Sequence, residues 1–301
     1  MFIIQYRKIF FFITALLIAG SIGAIFFLGL PFGIDFKGGS LIEVSYTDQV
    51  PEKAIIEDVI GNLGLGEFSF RTAGESSYIL RIRDITDSEH TDVLNALSLQ
   101  NTYSFTEDRF TSIGPVIGSE LKDKAVVALI VVLIVIILYV AFAFRGVSKP
   151  VSSWKYGSVA IIALAHDILV PSGAFALYAY YTGAEIDTLF VMALLAILGY
   201  SVNDTIVIFD RVREHLLQNK RTHTKETFAS IIGHALQETY ARSINTSITT
   251  FFVLTTLFVV GGAVTKDFAF TLLVGVLAGT YSSIFLAAPL LVSLSGKELQ
   301  S

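Results

Sequence analysis

Residues 9–30 run for 22 positions without a charged side chain. About 20 apolar residues in a helix cross the hydrocarbon of a bilayer, because a helix satisfies its own backbone polar groups there. The apolar part of a cleaved export signal is shorter, about 7–15 residues. The run therefore reads as a first spanning helix, with a cleaved signal as the competing reading. Five more apolar stretches follow a long polar gap, at 125–144, 159–181, 186–209, 244–262 and 268–294. Composition agrees: 53% of the 301 residues are hydrophobic and 16% charged, against about 25% charged in soluble domains. A soluble enzyme and a disordered chain both lose ground, and a net charge of −5 gives no basic footprint for nucleic acid. The absence of Cys removes disulfides, thiolate metal sites and thiol chemistry. Five His without metal spacing, and no Ser-His-Asp or Gly-x-Ser-x-Gly pattern, leave no enzyme site and no cofactor to expect.

Six spans put both ends of the chain on one side, and charge selects it. With the N-terminus inside, inner segments hold 12 basic residues, among them Arg7, Lys8, Arg145, Lys149, Lys155, Lys225 and Lys297, against five acids, Glu298 included. The outer gap, 31–123, has 7 basic and 16 acidic residues. Short loops decide orientation, and the 145–155 connection is basic and free of acid. The expected division is a first span in 1–30, an outer domain in 31–123, a five-helix bundle in 124–294 and a cytoplasmic tail in 295–301. An amphipathic connector, 210–242, interrupts the bundle on the inner side. Its stripe of Val212, Leu216, Leu217, Phe228, Ile231, Ile232 and Leu236 suits packing on the bundle end.

The outer gap reads strand, helix, strand, strand, helix, strand. Residues 39–46 alternate, 54–63 repeat at helical spacing, and 68–72 and 78–84 are short strands around a turn at Gly74. Thr86-Asp-Ser-Glu is a capping-box pattern opening a second helix, and 103–111 closes the set. This βαββαβ order is the ferredoxin-like arrangement. The expected fold class is thus a six-span α-helical membrane protein with a small α+β domain between spans one and two.

Ionisable groups within the spans carry the functional signal, since each costs about 2.5–3.5 kcal/mol at a helix centre unless paired, wet or used. Asp204 lies five residues inside the fourth run, about 7–8 Å deep. Ser201 and Asp204 share a face, flanked by Asn203 and Thr205. A carboxylate there marks a protonatable group in a transport path, or a structural carboxylate held by hydroxyls. Arg242, Thr246 and Thr249 share a face at the start of the fifth run. Arg242 keeps its proton, so it serves as the partner of a carboxylate or snorkels to water. His166-Asp167 in the third run is a relay pair or a buried brace. Glu185 and Asp187, at an outer boundary, read as a solvated loop. Gly275, Ala278, Gly279, Ser282 and Ser283 form a small-residue packing face.

Five segments together resemble the SecF family of bacterial protein-export membrane subunits, the SecD/SecF branch of the RND superfamily. They are Gly33-Ile-Asp-Phe-Lys-Gly-Gly-Ser40, Ser112-Ile-Gly-Pro-Val-Ile-Gly-Ser-Glu-Leu121, Ala165-His-Asp167, Gly199-Tyr-Ser-Val-Asn-Asp-Thr-Ile-Val-Ile-Phe-Asp-Arg-Val-Arg-Glu214 and Arg242-Ser-Ile-Asn-Thr-Ser247. The resemblance covers nearly the whole chain, and Lys37 departs from it. It implies a six-helix RND-type half that pairs with SecD in the bacterial cytoplasmic membrane. Together they would use the proton-motive force to promote export of unfolded preproteins beside the SecYEG channel, with YajC and YidC. It implies protons as the coupling ion, Asp204 as the protonatable residue and Arg242 as its partner. His166, Asp167, Ser201, Asn203, Thr205 and Thr246 would relay or support. Gly33, Asp35, Gly38, Gly39, Gly114, Pro115 and Gly118 would form the junction, or hinge, between bundle and outer domain. A small-molecule RND antiporter half and an uncoupled structural subunit are the alternatives.

Overall fold

The computed structural model describes residues 2–74, 76–144, 153–224 and 226–295. The basic connection with Arg145 and Lys149, and the tail with Lys297 and Glu298, lie outside the described residues, as do Glu75 and Lys225. Six helices are long and apolar enough to cross a membrane: Arg7–Leu28, Pro115–Ala143, Ser153–Thr182, Thr188–Thr222, Phe228–Val260 and Ala263–Leu294. A short helix, Phe2–Gln5, precedes the first.

Local chemistry sets several of these ends. Pro115 opens the second span at a position whose missing N–H costs nothing. Asp187 and Thr227 cap the fourth and fifth spans by accepting from Phe190 N–H and Ser230 N–H. Two boundaries differ from the sequence reading. The second helix starts at Pro115, so position 123 falls inside it and not at a domain edge. The segment 210–242 is not a separate connector. The fourth helix continues unbroken to Thr222 and the fifth starts at Phe228, so the spans extend into a helical hairpin. Its stripe explains the continuity: Val212, Leu216, Phe228, Ile231, Ile232 and Leu236 bury against Ile4, Phe209, Ile284 and Leu291. Leu217 stays exposed.

The third and sixth spans form the centre. Within their most apolar stretches 61% of residues are buried, against 6% in the first two spans, whose large apolar side chains face outward. The sixth span touches the third, fourth and fifth, and the third touches the first, second and fourth. Gly275 and Gly279 lie under Ile197 and Ser201, so the small-residue face brings two backbones close.

The domain between the first two spans is a four-stranded antiparallel sheet, β1 Gly39–Tyr46, β2 Ser69–Thr72, β3 Ser77–Ile82 and β4 Phe105–Ile113, in the order β2-β3-β1-β4. Ile42, Val44 and Tyr46 of β1 join Phe70, Tyr78, Leu80 and Ile82 beneath two helices, Lys53–Gly61 and Asp87–Leu97. Thr86 and Glu89 close the capping box at the start of the second helix. The period of two sends Leu41 and Ile79 to the opposite face, against Ile34. Arg71 and Arg81 point the same way, toward the bundle.

Sheet and bundle meet at the segments on either side of the domain. A Cβ on Gly38 would lie 2.6 Å from Pro115 Cα, and one on Gly118 would lie 2.7 Å from Gly38 N. Two backbones therefore touch where only hydrogen fits. Gly118→Ala is expected to cost about 1–3 kcal/mol through this clash. Gly20→Ala, where an added Cβ meets nothing within 4 Å, is expected to be neutral or stabilising. Thermal unfolding in detergent should show a midpoint several degrees lower for the first variant only.

Candidate functional site

The buried polar groups of the bundle converge on Asp167. It is fully buried beside His166, whose Nδ1 lies 2.8 Å from Asp167 Oδ1. Ser201 on the fourth span and Ser282 on the sixth both donate to Oδ2, Ser282 at 2.9 Å. One carboxylate thus gathers donors from three spans, which meets the demand that a buried acceptor be hydrogen-bonded. With His166 donating through Nδ1–H, Nε2 is left without a partner. The ring stacks on Tyr281, which donates to Phe10 O at 2.9 Å on the first span.

Ser282 opens a π-helical stretch, Ser282–Ala287, inside the last span. A π turn adds a residue to the turn and shifts the register of the residues after it. Here it lets consecutive serines both bond inward: Ser282 to Asp167, and Ser283 to Thr205 Oγ1 at 2.9 Å and Ser201 O at 3.3 Å. Ser282 and Ser283, read from sequence as packing residues, therefore belong to the polar seam. Two adjacent hydroxyls inside an apolar run were the available signal.

Asp204 is buried one helical turn from Ser201, and its Oδ2 has no hydrogen-bond partner among the described residues. The expected pair with Arg242 is not made, since the described residues hold no ion pair between them and Arg242 is exposed. Helical geometry gives the reason. The fifth-span residues turned inward are Thr239, Ser243 and Ser247, at i, i+4 and i+8. Arg242 sits one position before Ser243, about 100° round the helix. Its companions Thr246 and Thr249 are exposed with it, as is Asn203 on the fourth span. Ser243 Oγ is the buried hydroxyl beside Asp204, though neither it nor Asp204 Oδ2 makes a hydrogen bond of full geometry among the described residues, whereas Ser247 bonds Tyr200 at 3.2 Å and Thr280 at 2.6 Å. The structure thus brings His166, Asp167, Ser201 and Thr205 into one seam and turns Asn203, Arg242 and Thr246 outward. Arg242 also lines a cleft of about 410 Å³ with Asp210, Glu214 and Glu238, at the end opposite the sheet.

At the sheet end of the bundle, Glu185 and Asp187 do not form the solvated loop that sequence suggested. Glu185 pairs with Arg81 of β3 at 3.3 Å, and both side chains are largely buried. Burial pushes the Glu185 carboxyl above its usual range and the Arg81 guanidinium below its own, so desolvation outweighs mutual attraction. Arg71 of β2 pairs with Asp267 of the last span at 2.7 Å, and Tyr178 donates to the same carboxylate at 3.0 Å. Asp35 accepts from both N–H and Oγ1 of Thr188, at 2.9 and 2.5 Å. Gly33 N–H donates to Ile186 O, and Ile186 N–H to Pro31 O. Asp35 and Gly33 therefore stitch the end of the first span to the start of the fourth, while Gly38, Pro115 and Gly118 make the close backbone contact between sheet and bundle. Gly39 packs on Ile82 O of β3, and Gly114 precedes the second helix. Among the described residues no three His, Asp or Glu side chains gather as metal ligands would.

A six-span bundle with a βαββαβ domain between its first two spans and buried carboxylates set among hydroxyls defines a polytopic membrane protein built around an internal polar seam. Comparison gives the particular family. Residues 94–297 match the family described as protein export membrane protein SecD/SecF, C-terminal, and residues 23–50 match the SecD/SecF GG motif. The chain belongs to the SecD/SecF family. It is 37% identical to protein translocase subunit SecF of Thermobaculum terrenum, over 98% of this chain and 94% of that one. It is 36% identical to SecF of Anaerolinea thermophila, over 95% and 91% respectively. Among solved structures it resembles SecDF, a translocon-associated membrane protein from Thermus thermophilus, with a TM-score of 0.83 at 30% identity. That match covers 98% of this chain and 38% of the SecDF chain.

Burial also raises the Asp187 carboxyl from 3.8 to about 6, helped by Asp35 and Asp267 and opposed by the Phe190 N–H bond and Arg81. The folded state then holds this proton more tightly than the unfolded chain. Its contribution is present below about pH 4 and is lost as pH rises to about 6, amounting to about 3 kcal/mol at most. Asp187→Asn keeps a capping side chain and removes the titration. Thermal unfolding across this window should show a steeper fall with rising pH for the unaltered protein than for the variant.

Proposed function

We propose that this chain is the SecF-type half of a proton-coupled protein-export unit in the bacterial cytoplasmic membrane. Both ends face the cytoplasm and the sheet domain faces outward. A SecD-type half completes the unit, and the pair promotes export of unfolded preproteins beside the SecYEG channel, with YajC and YidC as neighbours. The observation that carries the reading is a contrast between two ionisable groups. Asp204 is buried with one oxygen unsatisfied, and Arg242 stands on an exposed helix face without an ion pair among the described residues. Neither arrangement is comfortable in lipid. Both are explained if a second helical half covers the face of Asn203, Arg242, Thr246 and Thr249 and supplies a carboxylate of its own. The SecDF chain, of which this chain spans 38%, supports such a partner.

In this mechanism a proton arriving from outside neutralises Asp204. That removes a negative charge from the seam beside the shared face, and the two halves rock about that face. The cleft beside Arg242 gives water access from the cytoplasmic end, where the proton leaves. Asp167 holds Ser201 and Ser282 in place and so fixes the fourth span while Asp204 changes charge. The driving energy is about 2.3 kcal/mol per charge per 100 mV, with about 1.4 kcal/mol more per pH unit. Several kcal/mol shift a two-state equilibrium a hundredfold or more. The contacts at Gly38, Gly118, Asp35 and the two ion pairs carry that motion into the outer domain, which acts on the emerging chain.

Asp204→Asn should leave membrane insertion intact and abolish the dependence of preprotein export on the proton gradient in vesicles. Arg242→Lys should lose most of the same stimulation, because an ammonium cannot replace a bidentate guanidinium. An uncoupled structural subunit would tolerate both.

A further inference from the structure

The cleft of about 410 Å³ beside Arg242 extends from Glu214 and Glu238 up to Ile206 and Val207. Those two residues follow Asp204 by less than one helical turn. On the fifth span Ser243 lies beside Asp204, and Thr239, one turn before Ser243, is buried and lines the cleft. A hydroxyl accepts one proton while releasing another, so Ser243 and Thr239 offer a path from Asp204 into the cleft. At its foot is a cluster of charge. Arg211 pairs with Glu214 at 2.7 Å and with Glu238 Oε2 at 3.3 Å, one guanidinium against two carboxylates. His215 Nε2 is buried 3.2 Å from the same Glu238 oxygen and makes no hydrogen bond among the described residues. A neutral ring with a bare Nε2 turns a lone pair toward that carboxylate. A proton on Nε2 would make a charge-assisted hydrogen bond and balance the cluster. His215 follows Asp204 by eleven residues, about 16 Å along the helix and within about 20° of the same face. Beyond it the ring of His234 lies 6.4 Å away between centroids, and His234 is exposed.

We propose that His215, backed by Glu238, receives the proton leaving Asp204 through the cleft and delivers it to the cytoplasm. Imidazole is the side chain that takes up and returns protons most readily near neutral pH, whereas a guanidinium keeps its own. Asp204 gives its proton to Ser243 or to cleft water. Cleft water gives one to Glu238, which lines the cleft, and Glu238 passes it to His215 Nε2. The imidazolium then loses its Nδ1 proton to water on the cytoplasmic side, and the ring regains its first tautomer by exchange with water. One proton enters and one leaves, and no bond between heavy atoms changes. The inference rests on the coupling reading above and adds to it the residue that releases the proton.

The test uses the reconstituted export complex in sealed vesicles with the hairpin side outward. A potassium–valinomycin potential drives it with equal pH on both sides, so imidazole that crosses the lipid dissipates nothing. Potential-driven preprotein uptake into the vesicles is measured with and without imidazole in the bath. His215→Ala is expected to slow it several-fold. Imidazole is expected to restore most of that rate, by carrying the proton in place of the missing ring, and to leave the unaltered complex unchanged. Asp204→Asn should stay unstimulated with or without imidazole. A His215→Ala complex with the unaltered rate would overturn the relay. So would a slow one that imidazole does not restore, because a merely structural histidine leaves no carrier to replace. His215→Gln, closer in size, takes its place if the alanine variant does not assemble. An unaltered complex with no potential-driven uptake would overturn the coupling reading itself, which separates that failure from failure of the relay.

Discussion

The hydrogen bonds into Asp167 hold the centre of this molecule together. A carboxylate with no water around it must find donors, and here they come from His166, Ser201 and Ser282 on three different spans. Those bonds fix the third, fourth and sixth spans in one register, and the π stretch beginning at Ser282 is the local distortion that lets the last span comply. Asp204, one turn along the fourth span from Ser201, has no comparable set of donors. Two buried aspartates in one bundle are thus treated oppositely. The satisfied one ties three spans together, and the unsatisfied one is the group we propose changes charge.

The same logic runs outward along the fifth span. Its inner face carries Thr239, Ser243 and Ser247, whose hydroxyls suit a seam, while its outer face carries Arg242, Thr246 and Thr249. Hydroxyl groups on a spanning helix can turn back onto their own backbone, as Thr246 and Thr249 do. A guanidinium cannot be quieted in that way. At the sheet end the protein uses a different device, ion pairs shielded between sheet and bundle. Arg71 with Asp267 and Arg81 with Glu185 tie β2 and β3 to the last and fourth span regions. Their burial makes them costly to break singly, which suits a domain that travels with its spans.

Span number, strand order and the capping box at Thr86 were legible in the sequence because each depends on a local pattern: an uncharged run, an alternation, a residue spacing. Helix ends were less so. The hairpin 210–242 looked like a connector because charge marks water, yet its apolar stripe keeps the fourth helix unbroken to Thr222 and the fifth from Phe228. The identity of the intramembrane groups was legible for the same reason that they are rare. Their partners were not. Whether Arg242 or Ser243 turns inward is a matter of 100° of rotation, set by packing of the whole bundle. Glu185 looked solvated because the arginine that buries it lies about a hundred residues earlier, on a strand whose second face the sequence left unassigned.

The central claim is that Asp204 gains and loses a proton inside the bundle. Infrared difference spectroscopy on the reconstituted complex tests it most directly, with the outside pH stepped down across a sealed membrane. A carboxylic-acid carbonyl band should appear on acidification and should be missing when position 204 carries an amide. A spectrum that keeps the same band in the amide variant would contradict the account.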